Sequence, residues 1–213
     1  MALFLLFGPT LFVWYYLETH MPDWDRREGI HTFLSGVLLV LPFLIIHGIF
    51  RSLFPISAEG WKLFAKGILL DLFFPVLYIL SGYVWWHRKR IVVPLPSQVL
   101  RFLTFGAGGL VPIALQAHLS FQGWEEGLQY LLIPFLWIQI LYLGALCVGV
   151  WFSTVRWERV LVLGAGILWM FLLGWFSYLY RVNIRFISWI LILGSFVGNV
   201  LIFPKLMDKV RNF

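Results

Sequence analysis

Charge is scarce in this chain. Asp, Glu, Lys and Arg make up 12% of its 213 residues against 61% hydrophobic ones, and the mean hydropathy is +0.88. A water-soluble domain of this size could not bury so much apolar surface, so lipid has to be the solvent for most of it. Cysteine is nearly absent too. Cys147 alone excludes an intrachain disulfide and any CxxC metal or redox site. Segments of alternating polarity about ten residues long are missing, which argues against a transmembrane β-barrel. No Gly-x-Ser-x-Gly or His-Glu-x-x-His motif occurs. Gly106-x-Gly108-Gly109 lacks the lysine of a phosphate-binding loop and lies inside an apolar run, so close helix packing explains it better than nucleotide binding.

What is present is a succession of apolar runs. The hydrocarbon core of a bilayer is ~30 Å thick and takes about 20 helical residues to cross. Residues 2–17, 30–50, 67–86, 102–121, 128–152, 160–180 and 186–203 answer to that length. They predict an all-α, polytopic transmembrane bundle forming a single integral membrane domain of about seven spans, or six if the first is not retained. The first run is short and carries Gly8-Pro9. It lacks a basic leader region and a small-residue cleavage site, which favours a retained span over a signal peptide. Tryptophans near the run ends, among them Trp14, Trp24, Trp61, Trp85, Trp86 and Trp124, fit an interfacial belt. Between the second and third runs, aromatics interleaved with lysines over residues 52–66 suggest a helix lying on the membrane surface. Pro94-Leu95-Pro96-Ser97 reads as a stiff turn before the fourth run, and Pro204 reads as the end of the seventh.

The net charge of +6 could indicate nucleic acid in a soluble protein. Here the basic residues occupy short gaps between apolar runs, which makes them topology signals and lipid-headgroup partners and excludes a nucleic-acid face. Alternate gaps lie on opposite sides of the bilayer. One side collects Arg26, Arg27, Arg88, Lys89, Arg90, Arg101, Arg156, Arg159, Lys205, Lys209 and Arg211; the other has Arg51, Lys62, Lys66, Arg181 and Arg185. The positive-inside rule puts the richer side in the cytoplasm, giving an outside N-terminus and a cytoplasmic C-terminus in a cell membrane.

An ionisable group inside lipid costs at least ~2.5 kcal/mol, so those present usually face the bundle interior. His47, Asp71 and His118 qualify, and the alternating topology puts all three near the outer surface. They could form a metal site, an acid and base pair or a proton relay; otherwise they mark helix ends within reach of interfacial water. Asp71, Pro75, Tyr78, Gly82 and Trp85 share one face of an α-helix, which predicts that this face turns inward. Gln116 and His118 are two residues apart, roughly 200° around a helix, and cannot both face one cavity unless Pro112 bends the run. Glu125 and Glu126 could extend such a site but read more simply as a hairpin tip, and Glu18, His20, Asp23 and Asp25 match no metal motif.

Gly194-x-x-x-Gly198, with Asn199 beside it, and Ala145-x-x-x-Gly149 are small-residue patterns expected to pack against neighbouring helices. One internal echo stands out. Residues 39–47 align with residues 131–139 at five of nine positions, setting His47 opposite Gln139. Runs two to four and five to seven could thus form an inverted repeat, an architecture common among transporters. Two readings follow. The first is a small transporter-like protein or the membrane subunit of a larger complex, with lipid, membrane proteins or a second copy as partners. The second is an intramembrane enzyme, a hydrolase or metal-dependent, with an outward-facing His47/Asp71/His118 site. No particular cofactor, metal or catalytic residue is specified by the sequence.

Overall fold

The computed structural model describes residues 2–20, 25–53, 64, 67–87, 95–119, 135–145, 147–148, 156–181 and 184–211. Every element among them is helical, and no strand occurs. The helices are α1 (Ala2–His20), α2 (Arg26–Leu53), α3 (π-wound over Gly67–Phe73 and α-helical over Phe74–His87), α4 (Leu95–Leu119), α5 (Phe135–Ala145), α6 (Arg156–Arg181) and α7 (Arg185–Arg211). Three stretches, Arg26–Ile49, Gln98–Gln116 and Arg185–Ile202, are long and apolar enough to cross a membrane; Phe135–Ala145 and Leu163–Leu179 are shorter apolar helices. The expected surface helix over residues 52–66 and the start of the fifth predicted run lie outside the described residues, apart from Ser52, Leu53 and Phe64.

Local chemistry sets the helix ends. The Asp25 carboxylate accepts the Arg27 backbone N–H at 2.9 Å, so Asp25 caps the start of α2. Two ends differ from expectation. α4 begins at Leu95, not at residue 102: Pro96 falls in the first turn, where its missing N–H has no helical partner to lose. Arg101 therefore lies inside the helix rather than in a link, and it pairs with Glu28 of α2. α7 runs on through Pro204 to Arg211, so that proline is carried within the helix instead of ending it.

α2 and α4 form the tightest contact and run the same way. Glu28 meets Arg101 at one end, and the Gln116 amide donates to the Leu44 carbonyl at 3.2 Å towards the other. Between them the backbones touch: a Cβ added at Gly36 would collide with the Phe105 carbonyl, and one at Gly108 with that of Phe33. This is the close packing expected of the glycine cluster. α3 lies antiparallel to α2, with Gly82 beside Leu39, the Phe43 ring stacked on Tyr78 at 5.3 Å, and His47 beside Phe74. Tyr83 of α3 donates from its hydroxyl to the Gln98 carbonyl at 3.0 Å, joining α3 to α4.

A second set of three helices repeats this pattern of neighbours. In α5 and α7, Phe135 meets Phe196 at 5.1 Å and the Asn199 amide donates to the Gln139 side-chain oxygen at 2.9 Å. Ser188 of α7 donates to the Phe176 carbonyl of α6 at 2.6 Å, and Gly166 of α6 sits against Leu143 of α5. The two sets meet where Ile68 fits the gap at Gly174 and where α4 crosses α5, with Phe102 against Gly144 and Leu141 against Gly106. α1 covers the junction: Thr10 donates to the Ala107 carbonyl at 3.3 Å, and Tyr16 packs on Tyr142 at 5.7 Å.

The surface is inverted relative to a water-soluble bundle. Leu38, Ile45, Leu161 and Phe186 are 65%, 72%, 71% and 77% exposed, whereas Thr32, Gln98, Thr104, Gln139, Ser177 and Ser188 are buried. Among the described residues, a Cβ at Gly194 or Gly198 would meet nothing within 4 Å, so the packing expected of this pair is not made with any of them.

Candidate functional site

The site begins with a proline. In an α-helix the Pro75 ring would press on the carbonyl of residue 71 and offer it no N–H. α3 winds as a π-helix over Gly67–Phe73, immediately ahead of that proline. Asp71 thus sits on the one π-wound segment among the described residues, a geometry that recurs at functional sites. Its side chain, like that of His118, lies outside the described set.

The inward face expected for α3 is corrected at one described position. Pro75, Tyr78 and Gly82 are buried as expected, joined by Ile79, Tyr83 and Trp86, while Trp85 is 53% exposed. Trp86 packs on Phe105 and Tyr83 in the core.

His47 is buried, 8% exposed, with its ring edge-on to Tyr78 at 5.9 Å and to Phe74 at 6.4 Å. It therefore lies one turn from the π-segment that carries Asp71. Gln116 bonds to α2 one turn below His47, so the end of α4 reaches the same level. With position 116 turned to α2, helix geometry puts position 118 on another face of α4. The structure thus gathers the backbones of all three predicted positions at one end of the bundle, with His47 alone described to its side chain.

Other candidates serve the fold. Glu18 accepts from Trp14 Nε1 at 3.1 Å and pairs with Arg26 at 3.0 Å, and Asp25 caps α2. Asp23, Glu125 and Glu126 lie outside the described residues. Among the described residues no three His, Cys, Asp or Glu side chains converge on a point. Two features were missed by reading the sequence. Gln139 pairs with Asn199 and also donates to the Ile192 carbonyl at 3.3 Å; in the sequence Asn199 stood only as the neighbour of Gly198 and Gln139 only as the counterpart of His47. A lateral groove of about 620 Å³ opens between α2 and α3, with Leu39, Pro42 and Phe43 facing Ser81, Gly82 and Trp85. Its signal was the pairing of small residues at 81 and 82 with a proline at 42.

No family, curated protein or solved structure matches this chain.

Proposed function

We propose that the protein is a multi-pass integral membrane protein of seven crossings, with the N-terminus outside and the C-terminus in the cytoplasm. Its role is that of a small transporter-like protein or a membrane subunit of a larger complex. The observation that carries this reading is the inverted surface: large apolar side chains cover the outer faces of α2, α6 and α7, and polar ones pair between helices. In water such a face would aggregate; in lipid it is the expected boundary. The antiparallel contacts of α2 with α3, of α3 with α6 and of α4 with α5 support alternating crossings. The recurrence of the α2, α3, α4 neighbour pattern in α5, α6, α7 supports an inverted repeat and favours the transporter-like form.

A cysteine map tests it. In a Cys147→Ser background, Lys89→Cys should react with a membrane-impermeant maleimide only after permeabilisation, and Glu125→Cys should react in intact cells. The reverse pattern, or extraction of the chain without detergent, overturns the reading.

The alternative is an intramembrane metal-dependent enzyme. It is favoured by one observation, the buried His47 one turn from the π-wound segment bearing Asp71. Metal analysis of the detergent-purified protein decides it: about one transition-metal ion per chain, lost in Asp71→Asn, supports this reading, and a metal-free protein removes it.

A further inference from the structure

We propose that the ion pair between Glu28 of α2 and Arg101 of α4 is a latch on the cytoplasmic end of the bundle, which closes over dry polar groups and admits water between the two helices when it opens; the side it faces rests on the membrane reading above. Solvent reaches the pair and stops there. The side chains of Glu28 and Arg101 are 40% and 16% exposed, whereas Thr32, one turn further along α2, is 1% exposed. The polar atoms behind the pair are short of partners: the Thr32 hydroxyl and the Arg101 Nε and Nη1 are buried and find no hydrogen-bond partner among the described residues. Thr19, Ser35 and Thr104, in contrast, each return their hydroxyl to the carbonyl four residues earlier. Dry donors disfavour the closed arrangement and are relieved by hydration, so the closed state is poised to open.

The way α2 is held at this end allows the movement. Among the described residues the apolar core takes no side chain from α2 before Phe33. From Phe33 onward the backbones themselves touch, the Phe33 carbonyl against Gly108 and Gly36 against the Phe105 carbonyl. Ahead of Phe33, the described ties of α2 to its neighbours are the pairs Glu28 with Arg101 and Arg26 with Glu18. Ion pairs at a wet surface are weak, whereas a backbone contact of this kind is rigid. The start of α2 therefore swings about the glycine contact when the Glu28 pair parts, and Thr32 and the buried face of Arg101 meet water first.

Thiol labelling tests this on the full chain in inverted membrane vesicles, whose outer face is the cytoplasmic one, in a Cys147→Ser background. Thr32→Cys should react slowly with sulfonatoethyl methanethiosulfonate, which does not cross membranes, and adding Glu28→Gln should speed the reaction at least about tenfold. Val40→Cys, fully buried on the far side of the glycine contact, should stay unreactive with or without Glu28→Gln. Hydrogen exchange reads the same motion in the chain without introduced cysteines: Glu28→Gln should raise exchange at the amides of residues 30–33 and leave those of residues 40–44 unchanged. Labelling of Thr32→Cys and exchange at residues 30–33 that ignore Glu28→Gln overturn the latch. An equal rise at Val40→Cys overturns it too, because the ion pair would then be holding the whole helix pair together. Faster labelling of Thr32→Cys from the opposite face alone would support the latch and overturn the orientation instead.

Discussion

Gln139 and Asn199 hold each other across α5 and α7: the Asn199 amide donates to the Gln139 oxygen at 2.9 Å while the Gln139 amide donates to the Ile192 carbonyl. Gln139 is nearly fully buried, so each group satisfies the other where no water is at hand. Interhelical hydrogen bonds in membranes are worth about 0.6 kcal/mol on average and up to ~2. Asn199→Leu should lower stability by about 1–2 kcal/mol, because Gln139 is left with an unsatisfied acceptor. Gln139→Leu with Asn199→Leu should cost less than the two single changes added, as read from thermal unfolding in detergent. Strict additivity would mean that the pair is not coupled.

The glycines divide into two classes with opposite outcomes. Gly108→Ala pushes a methyl group into the Phe33 carbonyl, and neither backbone can yield without separating α2 from α4. Loss of the folded monodisperse protein on size-exclusion chromatography is expected. Gly194→Ala meets none of the described residues within 4 Å and should be neutral or stabilising by up to ~1 kcal/mol, since alanine favours the helix. A tolerated Gly108→Ala would disprove the backbone contact.

Part of the fold was legible from apolar run length and residue size alone. Apolar run length located the helices, and the cluster at Gly106, Gly108 and Gly109 announced a backbone contact because only glycine permits one. Prolines were harder to read, since the same residue can start, bend or continue a helix. Pro96 opens α4 and Pro204 lies within α7, though both read as breaks. Trp85 was expected inside and lies exposed because the buried face of α3 centres on Tyr78, Ile79, Gly82, Tyr83 and Trp86, and spacing alone does not locate that centre. The level of His47 followed from topology. Its aromatic surroundings did not, because spacing along one helix fixes a depth and a face but no partner on the next.

The π-winding itself is testable. Pro75→Ala removes the clash and lets residue 71 bond to residue 75, so α3 should rewind as α-helix and turn everything before it by about 100°. In a Cys147→Ser background, Ile68→Cys with Gly174→Cys should cross-link under mild oxidation, since Ile68 fills the space beside Gly174. Adding Pro75→Ala should lower that cross-linking several-fold. Undiminished cross-linking would show that the proline is not the cause.

His87, the residue after the third predicted span, gives the fold a pH dependence of known sign. Burial, and secondarily the Arg101 charge, push its pKa below the ordinary 6.5. Its ring stacks on Tyr83 at 5.6 Å and 17°, so protonating it places a cation between a buried aromatic surface and a guanidinium. In the unfolded chain His87 takes up its proton near the ordinary value, whereas the folded chain resists until lower pH. Its contribution to stability is therefore full above about 6.5 and declines as the pH falls towards the depressed folded value. Melting temperature in detergent should drop between pH 7.5 and 5.5 by more in the unaltered protein than in His87→Phe, which keeps the stacking and loses the titration. Equal drops in the two proteins would assign the acid sensitivity to another group.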